Sequence, residues 1–142
     1  IRVGMMSPEH VLLHLSEFIE AFKHPKIKRF VHLPLQSGSD KVLKDMKRKY
    51  TVEEFKHIVA EFRKAIPDIH VATDLIVGFP TETEEDFQKT IQVMDELDFE
   101  VINLSKFAAR PNTLAARMPQ LLNDEIKRRS KIISKKINSS LS

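Results

Sequence analysis

The chain has 142 residues, 42% hydrophobic and 30% charged, with three glycines, seven prolines and no cysteine, and its 23 basic and 20 acidic side chains leave a formal net charge of +3. These counts suit one compact domain and exclude a disordered or collagen-like chain, a disulfide scaffold, and any cysteine-ligated metal or iron–sulfur site within these residues. No apolar run approaches the roughly 20 residues that span a bilayer, and no signal-peptide pattern opens the chain.

Residues 1–6 read as a short apolar strand, and a first residue that is Ile1 inside such a run marks the chain as a piece beginning mid-fold. Ser7, Pro8 and Glu9 supply an N-cap, a proline at the first helical position and an acid in the first turn. Val11, Leu12, Leu15, Phe18, Ile19 and Phe22 follow at helical spacing, so one helix is predicted up to His24, before Pro25. Residues 29–35 (RFVHLPL) read as a second strand, and Gln36-Ser37-Gly38-Ser39 as a loop whose Ser39 or Asp40 caps a short helix bearing Val42, Leu43 and Met46. Thr51 and Glu54 form a capping box before a helix marked by Phe55, Ile58, Val59 and Phe62.

Residues 69–79 (IHVATDLIVGF) make the third strand, apolar almost throughout as befits burial on both faces, with Asp74 interrupting it. Either Thr81 with Glu84 or Thr83 with Asp86 can cap the next helix, which carries Phe87, Ile91, Met94 and Leu97. Residues 101–107 form the fourth strand, residues 108–122 an irregular connection, and Asn123 caps a last helix with Ile126, Ile133 and Ile137 on one face. That end is basic: Lys127, Arg128, Arg129, Lys131, Lys135 and Lys136 stand against two acids, so the rest of the chain is near neutral. The alternation predicts an α/β fold of four parallel βα units, either a small open domain or about half of a (β/α)8 barrel.

In such folds ligands bind at the C-terminal ends of the strands. Gln36, Ser37 and Gly38 offer amide, hydroxyl and backbone donors that suit a carboxylate or ribose hydroxyl, although the same loop also reads as a capped turn. Asp74 is costly to bury unless paired, and either serves a ligand or pairs structurally with a neighbouring element. Gly78 permits close approach of a ligand or a backbone, and Gly4 suggests the same within the first strand. Glu82, Glu84, Glu85 and Asp86 read as acids favoured by a helix dipole. His10 and His14 have zinc-binding spacing but no third ligand, so no metal is assigned. Asn103, Ser105, Lys106 and Arg110, with Lys47, Arg48 and Lys49, can meet phosphates, or lie solvated at the surface. The basic last helix reads likewise as an outer helix packed on the sheet by its apolar stripe.

HLPLQSGSDKVLKDMKRKYTVEEF, ATDLIVGFPTETEEDF and FAARPNTLAARMP, in this order, resemble the radical S-adenosylmethionine methylthiotransferases that modify tRNA. The MKRKYTVEEFK stretch is most similar to the subgroup acting on N6-threonylcarbamoyladenosine beside the anticodon. The resemblance implies that residues 1–122 are the second half of a radical-SAM barrel and residues 123–142 a helix leading toward an RNA-binding TRAM domain. Cysteines for [4Fe–4S] clusters would then lie upstream. It further implies that Gln36, Ser37, Gly38, Asp74, Gly78 and Phe79 line the S-adenosylmethionine cavity, and that Lys106 and Arg110 face substrate or tRNA. Arg110 matches an Arg-Pro-Gly-Thr-Pro-Ala motif, from which this sequence departs at Asn112 and Leu114. The implied reaction is reductive cleavage of S-adenosylmethionine, hydrogen abstraction from the adenine C2 and installation of a methylthio group, in a cytoplasmic enzyme. Two other readings are a radical-SAM enzyme of the coproporphyrinogen oxidase type and a non-catalytic module binding RNA or protein through the basic helix. A half barrel also leaves strand edges unpaired, so the piece is expected to self-associate.

Overall fold

A computed structural model describes residues 1–140. The elements run α1 (Pro8–Leu13), α2 (Leu15–Phe22), β1 (Phe30–His32), α3 (Asp40–Asp45), α4 (Val52–Ala65), β2 (His70–Val77), α5 (Glu84–Leu97), β3 (Val101–Lys106), α6 (Leu114–Arg117) and α7 (Asn123–Ser140). The strands form one parallel sheet in the order β1-β2-β3, consistent with part of a barrel. The expected last segment, 123–142, extends two residues beyond those described.

Two expectations need correcting. Residues 1–6 are not a strand: their main-chain bonds to the rest of the described residues are Met6 N–H to the His32 carbonyl (3.0 Å), Lys28 N–H to the Ile1 carbonyl (2.7 Å) and the Ile1 amino group to the Lys26 carbonyl (2.7 Å). That is too few to build a ladder, and a Cβ placed on Gly4 would meet nothing within 4 Å, so no close neighbour explains that glycine. The predicted first helix is broken at His14 (φ −129°, ψ 37°), and neither a glycine nor a proline in the sequence announces the break.

Elsewhere the local signals hold. The Thr51–Glu54 capping box starts α4, and Thr83 with Asp86, the second of the two candidate pairs, starts α5. Val71, Thr73, Leu75 and Val77 of β2 are buried, while Asp74 and Ile76 lie on the more open face. Phe55, Phe62 and Phe87 are fully buried, and the Phe22 and Phe62 rings meet edge to face at 5.4 Å. Helix α7 closes one side of the sheet, with Ile126 and Ile133 buried in the same core.

Sheet register changes where β1 approaches its C-terminal end. Phe30, Val31 and His32 pair with His70, Val71 and Ala72, whereas Gln36 bridges to Leu75, so residues 33–36 hold one residue more than the strand opposite. Pro34 has no N–H to give, and the Thr73 hydroxyl fills the gap by accepting from Leu35 N–H (3.0 Å) and donating to the Leu33 carbonyl (2.8 Å). The ladder resumes at Gln36, whose N–H donates to the Asp74 carbonyl (2.8 Å) and whose carbonyl accepts from Ile76 N–H (2.9 Å).

Candidate functional site

The bulge gives Gln36 an unusual conformation. Its φ of 72° lies in the left-handed region, costly for a residue with a Cβ, and its side-chain Oε1 is buried with no hydrogen-bond partner. A strained backbone and an unsatisfied buried acceptor coincide at one residue on the C-terminal rim of the sheet. Tyr50 supports it from below: its hydroxyl donates to the Pro34 and Leu35 carbonyls, both at 3.0 Å, and burial pushes its pKa up to about 12.

A cavity of about 250 Å³ opens beside Gln36, lined also by Met5, Glu9, Arg48, Lys49 and Tyr50. Its cations come from the end of α3. Lys47 takes a left-handed conformation (φ 62°), with Lys47 N–H on the Lys44 carbonyl and Arg48 N–H on the Leu43 carbonyl, the paired bonds of a Schellman turn. That turn carries Arg48 and Lys49 to the cavity. Larger cavities of about 570 and 580 Å³ near Asp98 and Phe99 lie at the opposite, N-terminal end of β3.

On the open face of the sheet, Asp74 sits between its neighbours. His32 Nε2 lies 2.9 Å from Asp74 Oδ1, and Asn103 Nδ2 donates to the same oxygen at 3.0 Å. Asp74 is thus paired, as burial demands, yet among the described residues Oδ2 has no partner.

The other expected cofactor residues are held by the protein itself. Ser37 is buried and its hydroxyl accepts from Ser39 N–H. Gly38 N–H donates to Thr90 Oγ1 (2.8 Å), and a Cβ there would stand 2.5 Å from the Thr90 Cα, so this glycine admits the backbone of α5. Gly78 has φ 85°, and a Cβ on it would lie 2.6 Å from Ile126 Cγ1, so it admits α7. Phe79 is buried edge to face on Phe107 at 5.2 Å. Lys106, the last residue of β3, and Arg110 beyond it are exposed.

The departures at Asn112 and Leu114 leave the backbone of that loop intelligible. Asn112 has φ 67°, a conformation asparagine tolerates next best to glycine. Leu114 is the first residue of α6 after the N-cap Thr113, a position that favours proline without requiring it.

The sequence reading missed the anchor of the rim. Glu82, expected as a helix-dipole acid, is instead a buried partner: it accepts from Gly78 N–H (3.1 Å) and pairs with Arg129 Nη1 (2.8 Å). Burial pushes its carboxyl above the usual range, against the pull of Arg129 and Gly78. Arg129 also binds Glu125, which Arg128 and Arg129 together hold down at about 2. On the other flank, the Thr81 hydroxyl donates to Asp45 (2.6 Å), and Lys41 reaches both the Thr81 carbonyl and Asp86 at 2.7 Å.

Comparison with known proteins places these features. The model of the Radical SAM superfamily matches residues 1–94. A probable threonylcarbamoyladenosine tRNA methylthiotransferase from Methanocaldococcus jannaschii is 50% identical over 135 residues, which is 95% of this chain and 32% of that protein. The threonylcarbamoyladenosine tRNA methylthiotransferase of Homo sapiens is 41% identical over 139 residues, 98% of this chain and 24% of that protein. Coproporphyrinogen III oxidase from Escherichia coli, a radical SAM enzyme, superposes with a TM-score of 0.75 at 17% identity, over 96% of this chain and 31% of that one, a likeness of fold. The chain therefore spans 24% to 32% of the length of these two relatives.

Proposed function

The chain belongs to the radical SAM superfamily, and we propose that it is the cofactor- and RNA-facing part of the barrel of a tRNA methylthiotransferase acting on N6-threonylcarbamoyladenosine. The observation that carries the reading is Gln36: a strained residue with an orphaned buried acceptor, at the rim where parallel α/β folds bind ligands, beside a cavity bearing both charges.

The residues present fit S-adenosylmethionine. Its methionyl end carries an ammonium and a carboxylate, and the cavity offers Gln36 Oε1 and Glu9 for the first, Arg48 and Lys49 for the second. Asp74 Oδ2 is free to accept a hydroxyl of the ribose. With no cysteine among the 142 residues, thiolates for a [4Fe–4S] cluster must come from outside this sequence. The cofactor and cluster together supply radical chemistry when bound. This chain's share is to bind and orient: Tyr50 fixes the carbonyls of the bulge, Glu82 fixes Gly78, and buried Phe79, packed on the half-buried Phe107, keeps water from the strand ends. Ser37, Gly38, Gly78 and Phe79 act by shaping this rim, while Lys106 and Arg110, exposed beside it, meet tRNA phosphates.

No helix among the described residues is long and apolar enough to cross a membrane, and we place the activity in the cytoplasm, with its tRNA. The exposed edge and face of β3, where Val101 is 39% exposed, favour self-association when this chain stands alone. The function is tested by nucleoside mass spectrometry of tRNA from cells lacking the intact gene. Restoring the gene should restore the methylthio form of N6-threonylcarbamoyladenosine, a Gln36→Ala gene should restore far less, and an unchanged nucleoside profile on restoration overturns the reading.

A further inference from the structure

Helix α7 sorts its cations into two sets. Arg129 is buried on Glu82 and Glu125, Arg128 binds Glu84 (2.5 Å) and Glu125 (2.7 Å), and Lys136 binds Asp95 (2.8 Å). Lys127, Lys131 and Lys135 are exposed and, among the described residues, have no ion-pair partner. They stand one helical turn apart, within about 80° of one another on the helix wheel, and span about 12 Å along the axis. Ser130, Ser134 and Asn138 form a second row beside them, and with Lys131, Lys135 and Ser139 they line a shallow polar groove. Asp124, in the first turn, is the acid on this arc. The inner face of the helix is already used by Ile126 and Ile133 in the core, and the lysines of this outer arc are left exposed.

Three unneutralised ammonium groups in line with a row of hydroxyl and amide groups match a nucleic-acid strand. On one strand of duplex DNA phosphates recur at about 3.4 Å along the axis, so a row of about 12 Å is long enough to meet about three to four phosphates of a helical strand, and hydroxyls and amides suit the remaining phosphate oxygens and the RNA 2′-OH. The row also leads to the rim: Ile126 meets Gly78 and Arg128 meets Glu84, so Lys127 stands at the end of α7 nearest the site. We propose that Lys127, Lys131 and Lys135 form a phosphate-docking strip that holds one strand of a structured RNA as it leaves the catalytic rim. The inference deepens the tRNA reading above and rests on it for the kind of nucleic acid.

The test measures binding of an unmodified tRNA transcript to the intact protein, without S-adenosylmethionine or turnover, as a function of salt. The expected result is that K127E/K131E/K135E lowers affinity at least tenfold at low salt. The slope of log K against log salt should flatten by about two to three, one phosphate contributing about 0.7–0.9. K26E/K28E/K64E, with the same charge change on exposed lysines away from α7, should leave affinity and slope within twofold of wild type. Equal losses in both triple variants, or none in either, overturn the strip. Unchanged tRNA affinity with loss of binding to vesicles of anionic phospholipid overturns it in favour of a membrane surface. Because no chemistry is read, failure of methylthiolation leaves this result standing, and loss of the strip leaves cofactor binding at Gln36 unaffected.

Discussion

Arg129 of α7 donates through one nitrogen to both the carboxylate and the backbone carbonyl of Glu82, at 2.8 and 2.9 Å, and the two side chains are 5% and 1% exposed. The same carboxylate holds Gly78 N–H, so one buried ion pair joins the last helix to the rim loop after β2. Removing one partner of such a pair costs more than replacing both, because the survivor is left buried and charged. Arg129→Met should destabilise by about 3–5 kcal/mol, and the double variant with Glu82→Leu by less. In the single variant the Gly78 amide should lose hydrogen-exchange protection. Its deficit should grow as pH rises from about 4 to 7, since the Glu82 carboxyl titrates above the unfolded value and its charged form is then unpaired. Equal deficits in the single and double variants would contradict this account.

Tyr50→Phe removes the donor to the Pro34 and Leu35 carbonyls without changing side-chain shape. The cost should be about 1–3 kcal/mol, the price of leaving buried acceptors unmade. S-adenosylmethionine affinity, read by calorimetry, should fall with it, because the bulge that orients Gln36 loosens. A variant as stable as wild type would show that other groups hold the bulge.

Asp86 is buried, and although burial raises its pKa, hydrogen bonds from Lys41, the Thr83 amide and the Ser39 hydroxyl outweigh that and hold it well below the usual carboxylate range. A depressed folded pKa gives stability that is present above the unfolded value and lost as pH falls toward the folded one. Circular dichroism should therefore show acid unfolding beginning below about pH 4. Asp86→Asn should be less stable at pH 7 by about 1–3 kcal/mol, a deficit that shrinks progressively as pH falls below about 4.

Gln36→Gly separates strain from function. Glycine accepts φ 72° freely, so folding stability should hold or rise by up to about 1 kcal/mol, as expected for relief of a left-handed side chain. S-adenosylmethionine binding should drop at least tenfold for want of the amide. Weaker folding together with unchanged binding would refute the assignment.

Capping boxes at Thr51 and Thr83 and the helical stripes of α4 and α5 were legible because each rests on near neighbours in sequence, and the parallel sheet because strands alternate with helices long enough to cross over. Placing Gln36 and Asp74 on one rim needed only the strand order. The bulge was not legible, because it depends on the count of residues opposite, and Pro34 alone did not announce it. Glu82 was read as a helix-dipole acid and Arg129 as one of the basic residues of the last helix, since each lies among others like it, and only their meeting 47 positions apart makes them a buried pair. Gly78 was marked as a point of close approach, and its neighbour is the helix α7, whereas Gly38, read as part of a donor loop or a capped turn, is the point where α5 comes close.

Asn112 carries a lesson about how such proteins are found. A position that must turn through positive φ constrains torsion angles, and two letters of the alphabet satisfy it at modest cost. Leu114 shows the same tolerance at a helix start. Motifs written as letters will undercount relatives whose loops keep the path and change the spelling. A pattern scored on backbone conformation would recover them, and would flag as true departures only those chains in which the path itself is broken.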